Sequence, residues 1–264
     1  MGNLFIFGLG YSAARIAAAL AADGWRIEAT GSAGALAFDD EGAVRAALGR
    51  ASHVLSSVPP GEPGEPGEPG DPVLARYGDA LGAKWIGYLS STGVYGDTGG
   101  AWVDESAPVG SGRRSARTEA DVRWMTLGAR VFRLPGIYGP GRSVLDRVRA
   151  GTAHRIELPG QVFSRVHVED IAGGVAAAIK ADAPPGAYNL ADDEPASQNA
   201  VVEHASRLPG ASPPPLQSLD EANLTLRARG FYAANRRVAN TKLKRAARWA
   251  PLYPSYREGL APLL

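Results

Sequence analysis

The chain has 264 residues, which at about 150 residues per domain is fewer than two domains: enough for one sizeable core with a small annex. Lys plus Arg number 28 against 27 Asp plus Glu, so the bulk charge of +1 points to neither a nucleic-acid backbone nor an anionic membrane surface. The absence of cysteine excludes a disulfide framework, a thiolate nucleophile and a Cys-ligated metal centre, and no apolar run approaches the roughly 18 residues of a membrane span, so a soluble cytoplasmic protein is expected.

In chain order, residues 4–7 form a short apolar run of strand formers, and Ala13, Ile16, Ala17 and Leu20 recur at helical spacing across 12–22. Asp23-Gly24 stops that helix, and 26–30 reads as the next strand. The alternation continues with a strand over 36–38, a helix over 42–48, a strand over 53–58, a helix over 73–81, a strand over 85–90, a helix over 115–127 and a strand over 129–134. Strands alternating with amphipathic helices demand a parallel sheet covered on both faces. Beyond Tyr138-Gly139-Pro140-Gly141 the elements shorten, with helices expected over 144–150, 170–180, 196–207, 219–227 and 241–248. The expected architecture is α/β: a doubly wound parallel sheet over 1–141 and a smaller mixed lobe over 142–264. That boundary is soft, because 162–168 and 187–190 read as strands able to return to the main sheet. Residues 61–72 are four consecutive Gly-acidic-Pro triplets, expected as an extended loop with Glu62, Glu65, Glu68 and Asp71 in water. A lid over the site is the alternative, since the loop leaves the carboxyl end of a parallel strand.

Gly8-Leu9-Gly10-Tyr11-Ser12-Ala13 is a G-x-G-x-x-A string between a strand and a helix. Gly8 allows the tight turn, Gly10 lets a diphosphate approach the backbone, and Ala13 is small enough for the helix to pack on the strand. Gly8, Gly10, Tyr11, Ser12 and Ala13 are therefore the expected dinucleotide contacts, with Ser57 in the strand over 53–58 beside them. The second strand ends in Thr30-Gly31-Ser32, with neither the acid that would select NAD nor a base for a 2′-phosphate, so NAD and NADP both remain open. Four scattered histidines supply no metal site; Asp170 is expected as a helix N-cap and His167 as a packed strand-end residue. Arg236-Arg237 and 242–248 read as a solvated basic face.

Four further segments resemble the extended and atypical branches of the short-chain dehydrogenase/reductase superfamily, with its NAD(P)-dependent epimerases and dehydratases. They are Ser90-Ser91-Thr92-Gly93-Val94-Tyr95-Gly96, Arg133-Leu134-Pro135-Gly136-Ile137-Tyr138-Gly139-Pro140-Gly141, Arg165-Val166-His167-Val168-Glu169-Asp170 and Tyr188-Asn189-Leu190. The resemblance implies a Rossmann-like fold, a role for Ser91 in orienting a substrate oxygen, and a contact from Asp39 to the adenine amino group. It also implies a Tyr-x-x-x-Lys pair where this chain has Arg113-Arg114-Ser115-Ala116-Arg117. A guanidinium stays protonated, so Arg113 cannot be a base, while Arg117 inherits the task of gripping ribose or an anion. Tyr95 and Tyr138 are the candidate replacements for the missing phenol, with a packing role as the alternative for each, and Arg165 stands near the place where relatives hold a diphosphate. An oxidoreductase or isomerase acting on a polar, anionic small molecule is expected, in the cytoplasm and as a homodimer; the alternative is a catalytically silent dinucleotide sensor.

Overall fold

The structure is a computed structural model that describes residues 2–62, 69–82, 84–110, 115–222, 224 and 229–264. Six parallel strands form the main sheet: β1 (Asn3–Phe7), β2 (Arg26–Ala29), β3 (His53–Ser56), β4 (Trp85–Ser91), β5 (Arg130–Leu134) and β6 (Gly186–Asn189). Their spatial order is β2-β1-β3-β4-β5-β6, with Phe7 beside Ser56, Ser56 beside Tyr88 and Ser91 beside Leu134. All six carboxyl ends thus lie along one edge, and the chain reverses its direction of travel between β1 and β3. Such a reversal leaves a crevice above the sheet where ligands of open α/β folds bind.

The strand expected over 36–38 is reduced to one parallel bridge, Leu36 to Thr30. The chain turns too tightly there for a strand: Gly31 has φ +108°, and a Cβ on Gly34 would stand 2.5 Å from the Ala29 carbonyl oxygen. Asp39 consequently closes no strand and sits in the turn before α2 (Glu41–Arg50).

Alternation along β1 divides the core. Leu4 and Ile6 join Ile16 and Leu20 of α1 (Tyr11–Ala22), while Phe5 and Phe7 face Val44 and Leu48 of α2 and Tyr77 of α3 (Pro72–Tyr77). α4 (Ser115–Thr126) completes the second face through Ala120 and Trp124. On the first face α1 packs along α6 (Val168–Lys180), so helix α6 and strand β6 carry residues beyond 141 into the main layer. The smaller lobe packs α5 (Val144–Arg149), α7 (Gln198–Arg207) and, after α8 (Thr241–Ala247), α9 (Tyr256–Leu260) around Leu145, Val201, Val202 and Leu260. Within it, Arg165–His167 pairs with Gly136–Tyr138 rather than with the main sheet. The helix expected over 219–227 falls in part on 223 and 225–227, outside the described residues.

Asp71 is not in water. It is 3% exposed, caps α3 by accepting from the Val73 and Leu74 amides (3.0 and 2.9 Å), and takes the Trp124 indole N–H at 2.7 Å. Those three bonds satisfy two orphan amides of a helix start and one buried donor. They tie the end of the triplet loop to α4, while Glu65 and Glu68 lie outside the described residues.

Candidate functional site

The turn after β1 is held from three sides. Thr30, buried at the end of β2, accepts the Gly8 amide on its hydroxyl (3.2 Å) and the Leu9 amide on its carbonyl (2.7 Å). The Ser57 hydroxyl donates to the Gly8 carbonyl, so Ser57 braces the turn rather than reaching out from it. Gly8 needs its freedom: its φ is +81° and a Cβ would meet Val58 and Ser57 at 3.0 and 3.1 Å. At Gly10 the reverse holds, because a Cβ would meet nothing within 4 Å, and this open space lies over the first turn of α1. Amides of a first helical turn have no intrahelical partner, so Tyr11, Ser12 and Ala13 present N–H groups and the positive end of the helix dipole to that space. The chemistry of this cradle fits a diphosphate.

Among the other expected cofactor contacts, Asp39 is exposed and ion-paired with Arg76 beside the Phe38 and Tyr77 rings. Arg15 pairs with Glu169 at 3.1 Å. No carboxylate stands at the end of β2, where Gly31 presses against Leu9: a Cβ there would be 2.6 Å from the Leu9 nitrogen.

At the carboxyl ends of β4 and β5 opens a cavity of about 520 Å³. It is lined by Ser91 and Pro135, by the Phe163 and Tyr232 rings, and by Arg142, Arg147, Arg165 and Arg236 together with His154. Among the described residues no carboxylate lines it. A second cavity of about 470 Å³ shares Arg142, Arg147, Arg165 and Gln198 and continues towards Val201, Tyr256 and Leu260. Arg165 is fixed by bonds to the Phe163 and Ala196 carbonyls (2.8 and 2.9 Å) and to Gln198 (3.1 Å). Burial pushes its guanidinium down to about 10, so it stays charged at neutral pH. Arg236 is not on a solvated face: it lines the cavity, donates to the Gly96 carbonyl at 2.7 Å, and burial lowers its pKa. Ser91 accepts the Gly93 amide at 3.1 Å, which leaves its own O–H to donate.

The remaining catalytic expectations fall elsewhere. Arg113 lies outside the described residues. Arg117 does not line the cavity but faces the Tyr88 phenol, whose pKa burial raises and Arg117 draws back. Tyr95 is turned into the protein, donating to Asn189 (2.7 Å) and accepting from Arg133 (2.9 Å). Asp121 is fully buried, binds Arg133 through both oxygens (2.7 and 3.1 Å) and accepts from Ser90 at 2.6 Å. Nor is Asp170 the cap of α6. His167 caps it by accepting the Glu169 amide, while Asp170 accepts the Leu252 and Tyr253 amides and clips the C-terminal segment to the helix. Burial holds His167 neutral, pushing it down to about 4. Among the described residues no cluster of acids and histidines could hold a metal ion, and no helix is long and apolar enough to cross a membrane.

Behind Arg165 lies Asp192, 2% exposed with neither oxygen in a side-chain bond of good geometry. Burial pushes its carboxyl up to about 8, against the pull of Arg165. A carboxyl whose folded pKa exceeds its unfolded value stabilises the fold at low pH and loses that contribution as pH rises through about 8. Asp192→Asn, which cannot ionise, is expected to gain stability relative to the parent between pH 5 and pH 9 in urea titrations. A stability difference that stays flat over this range would contradict the burial argument.

No protein-family model matches the sequence. A 3-diazoavenalumate denitrifying reductase from Streptomyces is 33% identical over 159 residues, 56% of this chain and 51% of that protein; the chain spans about half the length of the curated relatives it matches. Among solved structures, a functionally unknown conserved protein from Silicibacter pomeroyi is 40% identical, with a TM-score of 0.84 and coverage of 100% of this chain and 98% of that one. A human epimerase family protein, SDR39U1, solved with NADPH, superposes with a TM-score of 0.78 at 15% identity, over 99% and 98% of the two chains. The chain thus belongs to one family with the Silicibacter pomeroyi protein, built on the fold of the short-chain dehydrogenase/reductase superfamily in its NAD-dependent epimerase/dehydratase form.

Proposed function

We propose that the chain binds NAD or NADP along the Gly8–Ala13 turn and is an oxidoreductase or isomerase of the epimerase/dehydratase kind, acting on an anionic small molecule beside Ser91. The observation that carries this reading is the lining of the cavity. Arg142, Arg147, Arg165 and Arg236 meet there with no lining carboxylate, and none of the four makes an ion pair among the described residues. Elsewhere in the fold Arg45, Arg76, Arg130, Arg133 and Arg257 are each paired. Gathering guanidinium groups on the lining of one cavity costs free energy that a bound carboxylate or phosphate would offset.

Bound at the Gly8–Ala13 turn, the nicotinamide dinucleotide would supply or accept hydride at the sheet edge. Ser91 would donate its O–H to the substrate oxygen, and the arginines would hold the anionic group. His154 and Tyr232, on the same lining, are the described groups placed to exchange a proton with the ligand. The Streptomyces relative's name, a reductase, and the NADPH of the human structure support the cofactor and the reaction type.

A silent dinucleotide sensor is the second reading, favoured by the commitment of Tyr95 to Asn189 and Arg133 and of Arg117 to Tyr88. Oxidation of NADPH in the presence of a panel of aldehyde- and keto-carboxylates, whose carbonyl accepts the hydride while the carboxylate meets the arginines, separates the two, with conversion of hydroxy-carboxylate isomers followed in parallel for an isomerase. For an enzyme, Ser91→Ala should lower kcat/KM by about 100-fold through kcat. Arg147→Ala should raise KM by about tenfold with kcat retained, the worth of one charge-assisted bond. Tight NADPH binding with no turnover of any acid would leave the sensor.

A further inference from the structure

The dinucleotide turn and the arginine-lined cavity are physically joined, and the join runs through one side chain. Tyr11, the residue after Gly10, sends its hydroxyl across 129 positions of sequence to donate to the Pro140 carbonyl at 3.1 Å. The receiving turn is tight, with Gly139 and Arg142 exchanging backbone bonds at 3.0 and 3.3 Å. It also lies hard against Tyr11: Gly139 has φ +154°, and a Cβ on it would stand 2.7 Å from the Tyr11 oxygen and 2.7 Å from Val168. Arg142 closes the turn with its guanidinium 5.4 Å from the centre of the Tyr11 ring, and Arg142 lines both cavities.

We propose that Tyr11 is a positioning residue that couples the two sites, holding Arg142 on the cavity lining so that dinucleotide at the Gly8–Ala13 turn and an anion in the cavity strengthen each other's binding. The inference rests on the functional reading above. Its physical basis is that the backbone amide of Tyr11 belongs to the diphosphate cradle while its ring and hydroxyl belong to the substrate-side turn. Fixing the first turn of α1 therefore fixes the surface on which Arg142 rests. Burial raises the Tyr11 pKa above that of an ordinary phenol, which keeps the hydroxyl a donor through the neutral range. Binding coupling is reciprocal, so the same factor is to be read from either ligand.

Calorimetric titration of the whole chain with benzoate and with phenyl phosphate, each without and with saturating NADPH, tests this and separates a carboxylate from a phosphate preference. NADPH is expected to tighten at least one of the two by about fivefold or more in the parent protein. Tyr11→Leu, which removes both the bond to Pro140 and the ring under Arg142, should bring that factor to about one, and Tyr11→Phe, which keeps the ring, should retain part of it. Because the factor is a ratio of affinities within one variant, a general loss of affinity cancels. The parent factor persisting in Tyr11→Leu, or parent binding of both ligands with a factor of one, would overturn the coupling alone. Failure of NADPH to bind the parent protein would overturn the functional reading and the coupling with it.

Discussion

Replacing Gly10 by tryptophan is expected to weaken NADPH binding at least about 100-fold, roughly 2.7 kcal/mol, while the fold survives. The two halves of that result come from one geometric fact. A Cβ on Gly10 would meet no protein atom within 4 Å, and the residue's φ of −99° suits any amino acid, so neither the backbone nor the first side-chain atom is strained. The same space is where a diphosphate must sit to meet the amides of the first turn of α1. Fluorescence titration gives the affinity. Thermal melting should move by no more than the roughly 2–4 °C that 1 kcal/mol is worth at this length. Parent-like affinity in Gly10→Trp would remove the turn from the binding site.

The second large effect concerns the frame beneath Ser91. Asp121→Ala is expected to cost about 3–5 kcal/mol and, at this chain length, to lower the melting temperature by roughly 6–20 °C. Asp121 and Arg133 are 0% and 3% exposed, so the variant leaves a guanidinium buried without its carboxylate, and it orphans the Ser90 hydroxyl next to Ser91 in β4. Arg133 also donates to Tyr95, which donates to Asn189 of β6, so one ion pair ties α4, β4, β5 and β6 together. Removing both partners, in Asp121→Leu with Arg133→Met, should recover much of the loss, because the penalty lies in the unpaired charge. A single-variant loss below about 1 kcal/mol in guanidinium titrations would mean that water reaches the pair, as it does at a surface salt bridge.

These two effects also mark what could be read from the chain and what could not. The apolar run of β1, the glycines of the first turn and the repeated alternation of strand and helix are local signals, and each led to the observed element. The vanished strand at 36–38 had a local pattern too, but the crowding of Gly31 and Gly34 against β2 and the turn overrode it. Charge was the poorest guide. Asp71 and Arg236 both read as solvated groups, and each finds its partner far along the chain: Trp124 lies 53 positions from Asp71, and the Gly96 carbonyl 140 positions from Arg236. The arginine lining of the cavity was legible only in part, through Arg165 of the strand before α6, because Arg142 and Arg147 come from one stretch of chain and Arg236 from another about 90 residues on. Nothing in composition or spacing announces that these arginines converge.

The most direct test is a crystal structure of the chain grown with NADPH. The account predicts density for the diphosphate against the Tyr11 and Ser12 amides, with the nicotinamide ring on the Ser91 side of the sheet edge. A diphosphate found instead on Arg142, Arg147 and Arg165, with the turn after β1 bare, would contradict it.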